Sequence, residues 1–349
     1  MIWLTWRQSR AQVASVAGAV AALLAFLAIS GTGLPTFDDT YLQELVTDGF
    51  AKGIFFLASF GVLFLPAIVG TFWGAPLVAR ELEAGTHRLA WNQSVTRTRW
   101  LAMKAGVIAL VAVVTTAGLS LGLTWWCGSL DKAINAGQTY DGPLRVGRIA
   151  PPMFEARGIA PIGYTLFALA LGVTAGLVVR RVVPAMAITL ALFVAVQILM
   201  PVLVRGHIGA TSQLVTIKPD NMTGMSARVG PGNVPQEAHD LQVRADEPGA
   251  WTLANETVDR SGRAHSTLPD WFAFCVPGRE GGLGLGPGPD PQKSAACFAR
   301  AEREGWRQRI TFQPASRYWT LQAIELAIFL ALTGALTAFS FWWLRHRLT

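Results

Sequence analysis

Six apolar stretches, each long enough to cross a bilayer, leave the chain few ways to fold: about Val13–Ser30, Ile54–Trp73, Ala105–Trp126, Ile159–Val179, Pro184–Val204 and Trp319–Leu344. A hydrocarbon core about 30 Å thick is crossed by roughly 20 apolar residues in a helix. In lipid every backbone N–H and C=O must be bonded within the protein, and a helix does this segment by segment. Apart from Glu325, the stretches hold no formal charge. The expected fold class is an all-α polytopic membrane protein with six transmembrane helices. Trp3 and Trp6 beside Arg7 and Arg10 suit an N-terminal interfacial helix at the headgroups. Residues 1–204 then hold helices 1 to 5, 205–317 a large extracellular loop domain between helices 5 and 6, and 318–349 helix 6 with a cytoplasmic tail.

Composition agrees with a lipid solvent. Of 349 residues, 52% are hydrophobic and 15% charged, where a soluble chain carries about 25% charged. The net charge of +7 is spread over helix ends instead of forming a stripe, which argues against a nucleic-acid partner. Arg7, Arg10, Arg80, Arg88, Arg97, Arg99, Lys104, Arg180, Arg181, Arg345 and Arg347 all fall on one side of a six-span chain. The loop between helices 1 and 2 sets Lys52 against Asp38, Asp39, Glu44 and Asp48. By the positive-inside rule both termini are cytoplasmic, although Lys132, Arg145, Arg148 and Arg157 in the loop between helices 3 and 4 weaken the contrast. No small-residue cleavage site follows the first apolar run, so it is read as an uncleaved helix. The Ala, Arg, Gly and Val bias points to a GC-rich bacterial source and a bacterial cell membrane.

The long loop is polar and rich in Gly and Pro. Gln213–Ile217 and Ala250–Leu253 are candidate strands, Gly278–Pro291 a flexible excursion, and Ala299–Arg309 a short charged helix. Cys275 and Cys297 flank the excursion. A disulfide between them is permitted outside the cell and would stabilise by about 3 kcal/mol in the chain-entropy model. Cys127 stands alone and is assigned to packing. The five histidines lack ligand spacing, and no paired CxxC occurs, so neither a metal nor another cofactor is expected. No Gly-Lys dipeptide is present, hence no phosphate-binding loop of the P-loop type and no nucleotide hydrolysis by this chain alone.

The link between helices 2 and 3, about 80–104, is more specific. Read as a helix, Glu81, Gly85 and Arg88 share a face. Asn92–Thr96 breaks that element, and Ser94 or Thr96 can cap the next helix. Glu81-x-x-x-Gly85-Thr86, then His87-Arg88-Leu89-Ala90-Trp91 and the basic Ser94-Val95-Thr96-Arg97-Thr98-Arg99-Trp100, resembles permease subunits of ABC-2-type ABC transporters, in an actinobacterial-like version. The opening Trp3-Leu4-Thr5-Trp6-Arg7-Gln8, the stretch Gln313–Trp319 and the closing Trp342–Arg347 resemble the same group. The resemblance implies a permease exporting a small amphiphilic compound, driven by a separate ABC ATPase subunit docking on the 2–3 link. It also implies a second permease copy, identical or different, to complete the pathway. Glu81, Gly85, Thr86 and Arg88 are the expected ATPase-coupling residues.

Other features carry alternatives. Glu325 could face a pathway or proton route, or pair with a group such as Arg317 or reach water. Pro66 and Pro76 could kink helix 2, and Gly118 with Gly122 matches small-xxx-small helix packing. A different functional class, a non-transporting membrane sensor or anchor whose extracellular domain binds a ligand, is supported by the long loop alone.

Overall fold

The computed structural model describes residues 18, 20–30, 48–85, 96–137, 147–229, 235–274 and 291–347. The chain divides into two compact units, Met1–Arg205 with Ser316–Thr349, and Gly206–Ala315. Among the described residues, five helical rods of the first unit are long and apolar enough to cross a membrane: Gly49–Glu83, Arg97–Trp126, Ala160–Val179, Val182–Arg205 and Ala315–His346. A shorter apolar helix, α1 (Val20–Ser30), lies in the first apolar stretch, so that, counted by stretch, Gly49–Glu83 is the second rod and Arg97–Trp126 the third. The expected interfacial segment with Trp3 and Trp6 lies outside the described residues.

The Gly49–Glu83 rod has three parts: α2 (Gly49–Ile68), a π segment (Val69–Gly74) and α3 (Ala75–Glu83). Asp48 starts it by accepting a hydrogen bond from the Phe50 N–H at 2.9 Å. Pro66 removes a donor from the helical ladder, and the wider π turn begins just beyond it. The rod runs on past Trp73 to Glu83, with Pro76 directly after the π segment at the start of α3. Next come α4 (Arg97–Trp126), α5 (Gly128–Asn135) and α6 (Met153–Ala156). Thr96 caps α4, its Oγ1 accepting from the Arg99 N–H at 3.3 Å. α7 (Ala160–Val179) ends at Arg180, whose φ of 59° turns the chain sharply into α8 (Val182–Leu199). A second π segment, Met200–Arg205, finishes that rod.

α7 is the centre of the bundle. Its apolar window is 72% buried, against 17% for the Val182–Arg205 rod and the Ala315–His346 rod, whose main helix is α10 (Tyr318–His346). Exposed Leu57, Phe64, Val183 and Ile198 suit hydrocarbon instead of water. The backbones of the second rod and α7 touch. A Cβ on Gly172 would lie 2.2 Å from the Gly70 carbonyl oxygen, and one on Gly176 2.6 Å from that of Ala75. The pair Gly118 and Gly122 instead faces α1, where a Cβ on Gly122 would meet Leu24 at 2.8 Å.

The second unit corrects the all-α expectation. It holds β1 (Thr211–Thr216), β2 (Met222–Val229), β3 (Pro235–Val243), β4 (Trp251–Val258), the short β5 (Ala264–His265), α9 (Pro291–Glu304) and β6 (Arg307–Gln313). Strands β1, β6, β4 and β5 form one antiparallel sheet in that order, and β2 pairs with β3. The expected helix Ala299–Arg309 is split, because Gly305 at φ 85° ends α9 and β6 follows. Gln308, Ile310 and Phe312 alternate inward along β6. Val215, Leu241, Val243, Phe272 and Phe298 complete the core around Ile310 and Phe312. Gln308 is the polar member: its Nε2 donates to the Leu241 carbonyl at 2.7 Å, and Thr257 donates to its Oε1 at 2.9 Å. Cys127 is buried and free, and Cys297 is disulfide-bonded. Cys275 and most of the Gly278–Pro291 excursion lie outside the described residues.

Candidate functional site

Two polar sites stand at opposite ends of α7. The first is where the second and third rods leave the bundle. Glu81 on α3 pairs with Lys104 on α4, and the Lys104 ammonium lies 5.0 Å from the Trp100 ring centre. Glu83 accepts a hydrogen bond from the Val182 N–H at 3.0 Å, tying α3 to the start of α8. The helical reading of the link is corrected here. α3 stops at Glu83, and Gly85 adopts φ 69°, a left-handed conformation that glycine takes without Cβ strain. Gly85 therefore does not share a helical face with Glu81. Thr86 and Arg88 lie outside the described residues. The resulting geometry is a turn leaving a short stiff helix, with its two flanking rods joined by an ion pair.

The second site surrounds Glu325 at the other end. Glu325 is 1% exposed, and its Oε1 accepts from Arg205 Nε at 2.6 Å while its Oε2 accepts from the Tyr164 hydroxyl. Arg205 also donates to Glu155 at 2.7 Å, and its guanidinium lies 3.8 Å from the Phe154 ring centre. Beside this cluster Arg157 donates to Asp131 at 3.0 Å, with Arg148 at 3.9 Å from the same carboxylate. Formal charges cancel: Arg148, Arg157 and Arg205 stand against Asp131, Glu155 and Glu325. Gln322 completes the site. Its Oε1 accepts from the Ile159 and Ala160 N–H groups at 2.9 and 2.6 Å, satisfying the otherwise open start of α7. Its Nε2 donates to the Phe154 and Arg157 carbonyls, each at 3.0 Å.

Burial pushes the Glu155 carboxyl above its usual range, with the neighbouring Arg205 charge opposing that rise. Burial likewise pushes the Cys127 thiol up to about 11, again against a nearby cation, Arg157. Glu325 is thus paired with a cation, and that cation is Arg205 and not the Arg317 offered as an example of such a group. Sequence alone marks Arg157 only as a charge of the loop between helices 3 and 4 and Arg205 only as the start of the long loop, and it does not single out Glu155 or Asp131. The usable signal was Glu325 itself: an acid inside a span requires a cation at matching depth, and Arg205 closes the adjoining rod.

The family model described as ABC-2 membrane transporter related matches residues 17–205, just over half of the 349. The chain belongs to this family. In this ABC-2-related protein the match takes in the 2–3 link and ends at Arg205, the residue that holds Glu325. No curated protein and no solved structure matches the chain. Membership makes the protein a multi-pass membrane transport component, of the kind that works with an ABC ATPase.

Proposed function

We propose that the chain is the permease subunit of an ABC exporter for a small amphiphilic compound, and that a separate ATPase drives it from the cytoplasmic side. The observation that carries this reading is the family match over 17–205, spanning both the apolar rods and the link between the second and third. Both termini and the 84–96 link are assigned to the cytoplasm from the basic residues at those ends. Gly206–Ala315 is then extracellular, where a Cys275–Cys297 disulfide is chemically stable. A second permease copy completes the pathway.

The mechanism follows from stiffness. The ATPase closes around ATP and displaces the link. Thr86 and Arg88 are the proposed contacts, with Gly85 as the turn that presents them. Glu81–Lys104 and the Glu83 bond to α8 pass the displacement to three rods at once. The second rod lies backbone to backbone on α7, so its motion repacks the centre of the bundle, and access switches between the two faces. At the far end Arg205 holds Glu155 and Glu325 together. This closed ionic cluster is assigned as the outer lock and not as a proton route.

The test is nucleotide hydrolysis by the permease reconstituted with its cognate ATPase. Glu81→Lys and Lys104→Glu should each lower permease-dependent stimulation, and the combined exchange should regain most of it. An ATPase that neither co-purifies with the permease nor changes its rate in its presence contradicts the reading.

A further inference from the structure

A groove runs between α4, α7 and α10. Its deeper section, about 280 Å³, is lined by residues including Leu101, Ala105, Gly106, Val173 and Thr333. Its open section, about 510 Å³, is lined at the helix ends by residues including Arg99, Trp342, Arg345 and His346. Ala102 and Phe341 line both sections, so the two lie side by side.

Its walls favour hydrocarbon. The lining hydroxyl of Ser340 lies 2.8 Å from Thr174 Oγ1, and Thr174 in turn donates to the Ala170 carbonyl at 2.7 Å. The lining Thr333 donates to the Phe329 carbonyl at 2.7 Å. With those groups engaged inside the protein, a polar solute would gain few bonds for the water it gives up. Space is real at Gly106, where an added Cβ would meet nothing within 4 Å. Thr333 and Arg345 lie on one helix, about 18 Å apart at 1.5 Å per residue, which is room for an extended chain. The open end has the opposite character. Among the described residues, neither Arg99 nor Arg345 has an ion pair, and no acid lines either section. Trp342, 47% exposed, marks the level at which aromatic residues meet headgroups.

We infer that this groove binds an anionic phospholipid, one acyl chain lying between α4, α7 and α10 and the phosphate held by Arg99 and Arg345. Guanidinium groups suit phosphate by bidentate bonding, and the lining supplies no competing carboxylate. Binding requires no ATPase, so the inference stands or falls apart from the transport reading.

The experiment uses the full-length protein in phosphatidylcholine vesicles doped with a photoactivatable phosphatidylglycerol or, separately, a photoactivatable phosphatidylcholine, both carrying the reactive group on one acyl chain. Labelling of the peptide around residues 101–109 is read by mass spectrometry. The phosphatidylglycerol probe should label at least about fivefold more, the scale of one basic residue at an anionic surface. Gly106→Leu should fill the groove and lower labelling by both probes; leucine is the better helix former, so the helix persists. Arg99→Gln with Arg345→Gln, at the exposed end, should erase the preference for phosphatidylglycerol while labelling by phosphatidylcholine persists. That double variant keeps the test readable if Gly106→Leu disturbs packing. Equal labelling by the two probes, or a preference that survives the loss of both arginines, overturns the inference and leaves ordinary boundary lipid.

Discussion

Arg205 carries more of the membrane unit than its position at the end of a rod suggests. It holds two buried carboxylates, Glu155 and Glu325, at 2.7 and 2.6 Å. Removing one partner of a buried ionic group typically costs about 3–5 kcal/mol, because the charges left behind stay desolvated. Arg205→Met should therefore lower the melting temperature of the detergent-purified protein sharply. Adding Glu155→Gln and Glu325→Gln should recover much of the loss, and thermal unfolding of the two variants side by side checks this. Cys127 offers a second test. Its thiol is buried and its pKa is raised to about 11, so near pH 7.5 the reactive thiolate is scarce. Maleimide should leave Cys127 unmodified in the folded protein and modify it after denaturation, as read by intact mass. At this scale the sequence exposed half of each site. Glu325 and Glu81 stand out by position. Arg205 and Lys104, separated from them by 120 and 23 residues, do not, because pairing across such distances is set by helix packing.

Between elements the close approach of the second rod to α7 governs how motion can travel. Gly172→Ala would place a Cβ 2.2 Å from the Gly70 carbonyl oxygen. Backbone on the facing side cannot rotate away, so the expected cost is that of overpacking, about 1–3 kcal/mol, with a larger loss of transport-coupled ATP hydrolysis. Gly61→Ala on α2 meets nothing within 4 Å and should be neutral or slightly stabilising. Similar losses from both substitutions would mean that the contact does not transmit force. The spans were legible because apolar length is a direct demand of the bilayer. The interface was not, since Gly70, Gly74, Gly172 and Gly176 form their pattern only once two separate helices are set side by side. The second unit was legible in part: the candidate strands Gln213–Ile217 and Ala250–Leu253 overlap β1 and β4, whereas the start of β6 reads as helix. The alternation in β6 is short and follows a charged helix, and only pairing with β1 and β4 makes it a central strand.

The whole molecule joins an ABC-2-related membrane body to a strand-containing unit, Gly206–Ala315, inserted before the last rod. The family match ends at Arg205, the residue before that unit begins. Everything proposed about the power stroke depends on which way the body faces. Sided cysteine labelling decides it most directly. Ala84→Cys, at the exposed turn after α3, and Ser266→Cys, on the exposed surface of the second unit, are each treated with a membrane-impermeant maleimide. Ser266→Cys should react in intact cells, and Ala84→Cys only in inside-out vesicles. Labelling of Ala84→Cys from outside intact cells would put the link beyond the reach of any cytoplasmic ATPase and contradict the account.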